Sequence, residues 1–182
     1  MNFGGEMNTM TRSQIKDSGD RTQFETGAVR DMQGEDKGRC DLLPLDIVGY
    51  LMGEDTDVAR ILEGIQLFID DSDVFWLRGV LKRFADYQNT TLPQLMLEVS
   101  IHYREGSRKY PINNWKLGIP ISSFVSSGVR HFLKHIDNQK DERHDRAFVW
   151  NMLGAMWTME HKPEMDDITR KKVEVVDETQ EN

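Results

Sequence analysis

An all-α fold is predicted for this chain, a helical bundle of about five to six helices with flexible N- and C-terminal segments. From Asp41 onward apolar residues recur at spacings of three and four, the period of a helix with one buried face. Alternating polar and apolar runs, the mark of a half-buried strand, are almost absent. Capping residues, proline and glycine stand where the periodic runs begin and end.

The elements follow in order. A short helix runs from Leu45 to Met52, after Pro44 and before Gly53. Thr56 or Asp57 caps the next, whose core stripe is Val58, Ile61, Leu62, Ile65 and Ile69. Ser72 or Asp73 ends it and opens a third, carrying Val74, Leu77, Leu81 and Phe84 to about Tyr87. Thr90 or Thr91, with Pro93 in the first turn, starts a fourth that Gly106 closes. Pro120 with Ser122 or Ser123 introduces a fifth helix through Val125, Gly128, Phe132 and Ile136. Asp141 introduces the last, with Phe148, Met152, Ala155 and Met159, and these two pack as an antiparallel pair. Residues 1–35 and the acidic 163–182 have no apolar period and read as flexible. The folded domain is set at 36–162.

Composition narrows the function. At 182 residues and 38% hydrophobic content, the chain suits one domain around one core. Its net charge of −8 opposes general nucleic-acid binding, which needs an excess of Lys and Arg over the phosphate backbone. Cys40 is the single cysteine, so no internal disulfide forms and a reducing cytoplasm fits best. The N-terminus has no apolar leader core, and no apolar stretch approaches membrane-spanning length, so a soluble protein is expected.

The segment 98–115, EVSIHYREGSRKYPINNW, carries the densest chemistry. On a helix, Glu98, His102 and Glu105 stand at i, i+4 and i+7 and share one stripe. Such a stripe suits Mg²⁺, which binds through one or two carboxylates plus substrate phosphates and water. A plain solvated face accounts for the same spacing equally well. Just beyond it, Arg108, Lys109, Tyr110, Asn113, Asn114, Trp115 and Lys116 bring cations, amides and aromatic rings, the mixture that phosphate and a stacked base require. The fifth helix offers Arg130 and His131, for bidentate phosphate contact and proton transfer, or else a basic solvated face. On the last helix His144 and Asn151 lie along one line, and an Asn amid Trp150, Met152 and Leu153 needs partners, either a ligand or a neighbouring helix. Arg30, Lys37 and Arg39 stand among glycines ahead of the first helix, either over a site or in a polar tail.

Four ordered blocks, GAVRDMQGEDKGRCDLLP at 27–44, EVSIHYREGSRKYPINNWKLGIP at 98–120, SSGVRHFLKHIDN at 126–138 and HDRAFVWNMLGAMW at 144–157, resemble the dATP/dGTP diphosphohydrolase family found largely in bacteriophages. Its members are similar to the MazG-like all-α nucleotide pyrophosphohydrolases. The resemblance implies hydrolysis of a purine deoxynucleoside triphosphate to monophosphate and pyrophosphate, with Mg²⁺, or Mn²⁺ in its place. Glu98 and Glu105 would hold the metal, and His102 or His144 would act as general base. Lys37, Arg39, Lys109, Arg130 and His131 would meet the phosphates, and Asn114, Trp115 and Asn151 the base or sugar. A cytoplasmic homo-oligomer is implied as well. Two features depart from the family pattern: 45–94 inserts about two extra helices, and the literal MazG signature is missing. An HD-type triphosphohydrolase, with His102, His131, His144 and Asp145 around a transition metal, is the alternative. A non-catalytic nucleotide-binding protein is the third.

Overall fold

The computed structural model describes residues 20–32 and 37–170. Six α-helices build the bundle: α1 Leu45–Leu51, α2 Asp57–Asp71, α3 Val74–Tyr87, α4 Leu92–Gly106, α5 Ile121–Ile136 and α6 His144–His161. The all-α prediction holds, and the helix boundaries follow local chemistry. Thr56 caps α2 by accepting from the Ala59 amide, Asp73 caps α3 through Phe75, and Thr91 caps α4 through Gln94. Ser72, left-handed at φ 67°, ends α2. Asp141 does not cap the last helix: α6 begins at His144, and the Asp141 carboxylate meets the His144 ring instead.

Helix α6 is the centre of the bundle. It packs on α5 along its length and also touches α3 and α4. Its buried residues, from Ala147 and Phe148 through Asn151, Met152 and Ala155 to Thr158, form a broad face that Val149 and Gly154 widen on either side. The α5–α6 pair is close because two glycines face large neighbours. A Cβ on Gly128 would stand 2.3 Å from the Met152 methyl, and one on Gly154 would stand 2.3 Å from the Phe124 ring. Phe84, Phe132 and Phe148 fill the space towards α3 in edge-on and tilted contacts. Helices α2 and α3 form a second tight pair, so 45–87 contributes Ile61, Ile65, Phe68, Leu77 and Phe84 to the common core. No helix among the described residues is long and apolar enough to cross a membrane.

Two stretches expected to be flexible are built into the fold. Strands β1 Arg21–Gln23 and β2 Val29–Asp31 pair antiparallel, with Arg21 opposite Asp31 and Thr22 opposite Arg30. Gly27, at φ 82°, makes the turn. Asn114 ties the hairpin down like a neighbouring strand: its Oδ1 accepts from the Val29 amide at 2.7 Å, and its Nδ2 donates to the Val29 carbonyl at 2.6 Å. Thr26 adds a bond to the Gly118 carbonyl at 2.6 Å. At the other end Asp167 accepts from the Ser122 amide and hydroxyl at the start of α5. The domain therefore reaches past the predicted limits of 36 and 162. The rest of both expected tails, 1–19, 33–36 and 171–182, lies outside the described residues.

Candidate functional site

Between the hairpin, α4, the 107–115 loop and the α5–α6 pair lies a cavity of about 940 Å³. That is near the upper end of the range for small-molecule pockets, about 300–1,000 Å³. Two arginines dominate its chemistry. Arg30, from β2, is half-buried, and its Nη2 donates to Asn151 Oδ1 at 2.5 Å. Its guanidinium lies 5.3 Å from the Phe124 ring centre and 5.6 Å from that of Trp150. Arg130, on α5, donates to the Ser127 hydroxyl at 2.8 Å. Each arginine keeps one buried nitrogen, Nη1, without a hydrogen-bond partner. Burial and then repulsion from Arg130 pull the Arg30 pKa down to about 10. The charge is nonetheless retained at neutral pH, and two half-buried, incompletely satisfied cations on one cavity call for an anion.

Around them, His102, Lys37, Lys134, Tyr103, Trp115 and Trp150 also line the cavity. His102 is largely buried, its ring 5.9 Å from that of Trp150. Burial, then the neighbouring His131, lowers its pKa to about 4, so the imidazole is neutral at physiological pH. Trp115 stands edge-on to Tyr103 and Trp157. On the far wall His131, Glu142 and His144 come together, with His131 Nδ1 3.0 Å from Glu142 Oε1. Burial lowers the His131 pKa. Burial alone would raise that of Glu142, but the hydrogen bond with His131 and the electrostatic pull of the two neighbouring imidazoles outweigh it and hold the carboxylate ionised.

The structure sorts the residues singled out by sequence. Lys37, His102, Asn114, Trp115, Arg130, His131 and Asn151 all line the cavity. Asn114 and Asn151 spend their polar atoms on Val29 and on Arg30 and Ala147, so they position the hairpin and the arginine rather than reach for a base. His144 sits behind the wall, 2% exposed. Lys109 is paired with Asp31, which also accepts from Tyr110 and Arg21, and Lys109 stands outside the cavity lining. Arg39 holds Asp41 with two bonds, of 2.8 and 2.5 Å, and does not line the cavity.

The acidic pair on α4 departs furthest from expectation. Glu98 and Glu105 are both absent from the cavity wall. Arg146 takes Glu98 through Nε and Nη2, and Arg143 stands 3.7 Å away. With Arg146 from α6 and Arg143 just ahead of it already on Glu98, the stripe does not converge on the cavity. Asp145 is likewise held by Arg143, at 3.0 and 2.6 Å, so that of the His-Asp dipeptide it is His144 that meets His131.

Asp31, Asp141 and Glu142 are site residues that the sequence did not reveal as such. Strands of three residues are too short for a period-2 signal, so nothing in the sequence marked Arg30 as turned inward. Glu142 lies in the linker between α5 and α6, where no helical spacing relates it to His131.

Residues 84–168 match the family model described as dATP/dGTP diphosphohydrolase, N-terminal. That span covers α4, α5 and α6 and hence most of the cavity wall, while the hairpin with Arg30 lies ahead of it. No curated protein and no solved structure matches this chain.

Proposed function

We propose, from the premise that this chain belongs to the dATP/dGTP diphosphohydrolase family, that its cavity hydrolyses a purine deoxynucleoside triphosphate to the monophosphate and pyrophosphate. The observation that carries the reading is the pair Arg30 and Arg130, two half-buried guanidiniums on one cavity wall, each with one nitrogen that lacks a hydrogen-bond partner. Arginine suits phosphate oxygens through its planar fork of donors. Lys37 and Lys134 add charge at the rim, and Trp115, Trp150 and Tyr103 offer flat faces for a purine.

In this reading the cations hold the β and γ phosphates and stabilise charge on the departing pyrophosphate. A water oxygen attacks the α phosphorus, the α–β bridging bond breaks, and the water proton passes to a cavity base. His102, neutral at physiological pH, is placed to accept it. Mg²⁺, or Mn²⁺ in its place, would arrive on the triphosphate and neutralise part of its charge, and Asp31, Asp141 and Glu142 are the carboxylates that line the cavity around it. Glu98 and Glu105 fit that task less well, since neither lines the cavity. The reading places the enzyme in the cytoplasm, in phage nucleotide metabolism. Ile47, Tyr50, Leu51 and Met52 on and just after α1 are exposed and provide an apolar face for a homo-oligomer.

Incubating purified protein with Mg²⁺ and each deoxynucleoside triphosphate, then resolving the products, tests the proposal. Monophosphate with pyrophosphate supports it. Nucleoside with triphosphate shifts the reaction to the other phosphoester bond, and no turnover with any nucleotide overturns the enzymatic reading. Light scattering on the eluted protein reads the oligomer.

A further inference from the structure

His131 Nδ1, His144 Nδ1 and Glu142 Oε1 form a triangle with sides of 3.1, 3.3 and 3.0 Å. They come from α5, the first residue of α6 and the linker between. His144 Nε2 lies 2.7 Å from Asp141 Oδ1. An ionised carboxylate only accepts, so the ring proton sits on Nε2, and in the neutral ring Nδ1 is then a bare lone pair. Glu142 Oε1 offers lone pairs as well. His131 has one proton at most to place on Nδ1, and it faces two acceptors that stand 3.3 Å apart. Side chains left 1%, 18% and 14% exposed leave little room for water to settle that deficit.

We propose that His131, Glu142 and His144 are the ligands of a divalent transition-metal ion held at the cavity wall. Donors about 2.1 Å from one ion stand about 3.0 Å apart on an octahedral face and about 3.4 Å apart in a tetrahedron, and the observed sides fall within that span. Two imidazoles with one carboxylate select Mn, Fe, Co or Zn over Mg²⁺, which takes oxygen. Asp141 supplies the outer support typical of a metal-binding histidine, fixing the tautomer through Nε2. Lys134 stands 3.5 Å from the other Asp141 oxygen. His131 and Glu142 line the cavity, so the ion's remaining positions open towards the place where the arginines gather phosphate. Only the ion's role as a Lewis acid there rests on the nucleotide reading; its binding does not.

The full chain, stripped with chelator, is titrated with Co²⁺ and with Zn²⁺. One ion per chain is expected, with the visible absorption of Co²⁺ in nitrogen and oxygen ligands, displaced by Zn²⁺. Glu142→Gln and His131→Gln should each weaken Co²⁺ binding about 100-fold or more, and Asp141→Asn about 10–100-fold. Glu98→Gln should leave it unchanged. Where a variant does not fold, ¹⁵N imidazole spectra of the unaltered protein give the answer: Zn²⁺ should shift the Nδ1 signals of His131 and His144 and spare that of His161. Absent stoichiometric binding, or binding indifferent to Glu142→Gln and Asp141→Asn, overturns the site. A chain that binds Co²⁺ here but turns over no nucleotide keeps the site and sinks the proposed function. Hydrolysis with Mg²⁺ by a chain that refuses both Co²⁺ and Zn²⁺ does the reverse.

Discussion

Two regions of this molecule carry carboxylates and imidazoles, one along a single helix and one across two, and they end in opposite states. On α4, Glu98 and His102 stand one turn apart, yet Glu98 turns to Arg146 and Arg143 while His102 faces the cavity. Across the cavity, His131, Glu142 and His144 meet within hydrogen-bond distance although 13 residues separate the two histidines. A carboxylate next to an arginine from a neighbouring helix is spent on structure, because its charge is already balanced. One facing imidazole rings in a buried wall keeps lone pairs to offer. Chemistry therefore follows the partners that packing supplies, more than spacing along one helix.

The largest expected effect lies on the cation side of the cavity. Arg130→Ala should lower kcat/KM for hydrolysis about 10²–10³-fold, or about 3–4 kcal/mol, with unchanged circular dichroism. A loss of less than threefold would show that the half-buried guanidinium meets no phosphate.

Next comes pH. The folded His102 ring binds a proton more weakly than in the unfolded chain, about 4 against 6.5. Its contribution to stability is therefore whole above pH 6.5 and is lost as pH falls towards 4, by at most about 1.4 kcal/mol per unit. His131 shifts in the same direction and adds to the slope. Melting curves between pH 7.5 and 4.5 should be flatter for His102→Gln than for the unaltered protein, and parallel curves would contradict the burial argument.

Asn114→Ala removes both bonds to Val29 and leaves that backbone pair short of partners, at a cost of about 1–3 kcal/mol. Because Arg30 follows Val29 in the chain, KM should rise along with the drop in Tm. A fall in Tm with KM intact would separate the hairpin from substrate binding.

Smallest of all, Glu98→Gln should change stability by less than about 1 kcal/mol, since the pair with Arg146 is partly exposed. Hydrolysis should stay within about threefold. A hundredfold loss would return the α4 stripe to the metal role first read from its spacing.

Much of the helical frame was legible because helix ends are local events. Thr56, Asp73 and Thr91 cap through amides two or three residues away, and the stripes of α2 and α3 announce a buried face through neighbours at three and four. The hairpin escaped notice for a matching reason: it is too short to show a period, and what fixes it is Asn114, 85 residues from Val29. Within the site, Arg130 and His131 could be named from their helix, but not the orphaned nitrogen of Arg30 opposite them.

By itself the sequence determined the all-α class, the helix starts and the residue types able to meet phosphate, since each depends on contacts a few residues apart. Only the tertiary structure decided which charges remain available. Whether a carboxylate or guanidinium is neutralised depends on side chains that arrive from distant helices: Arg146 on Glu98, Asp31 on Lys109, and two histidines on Glu142. In a buried wall, that choice of partner fixes the chemistry left to each group.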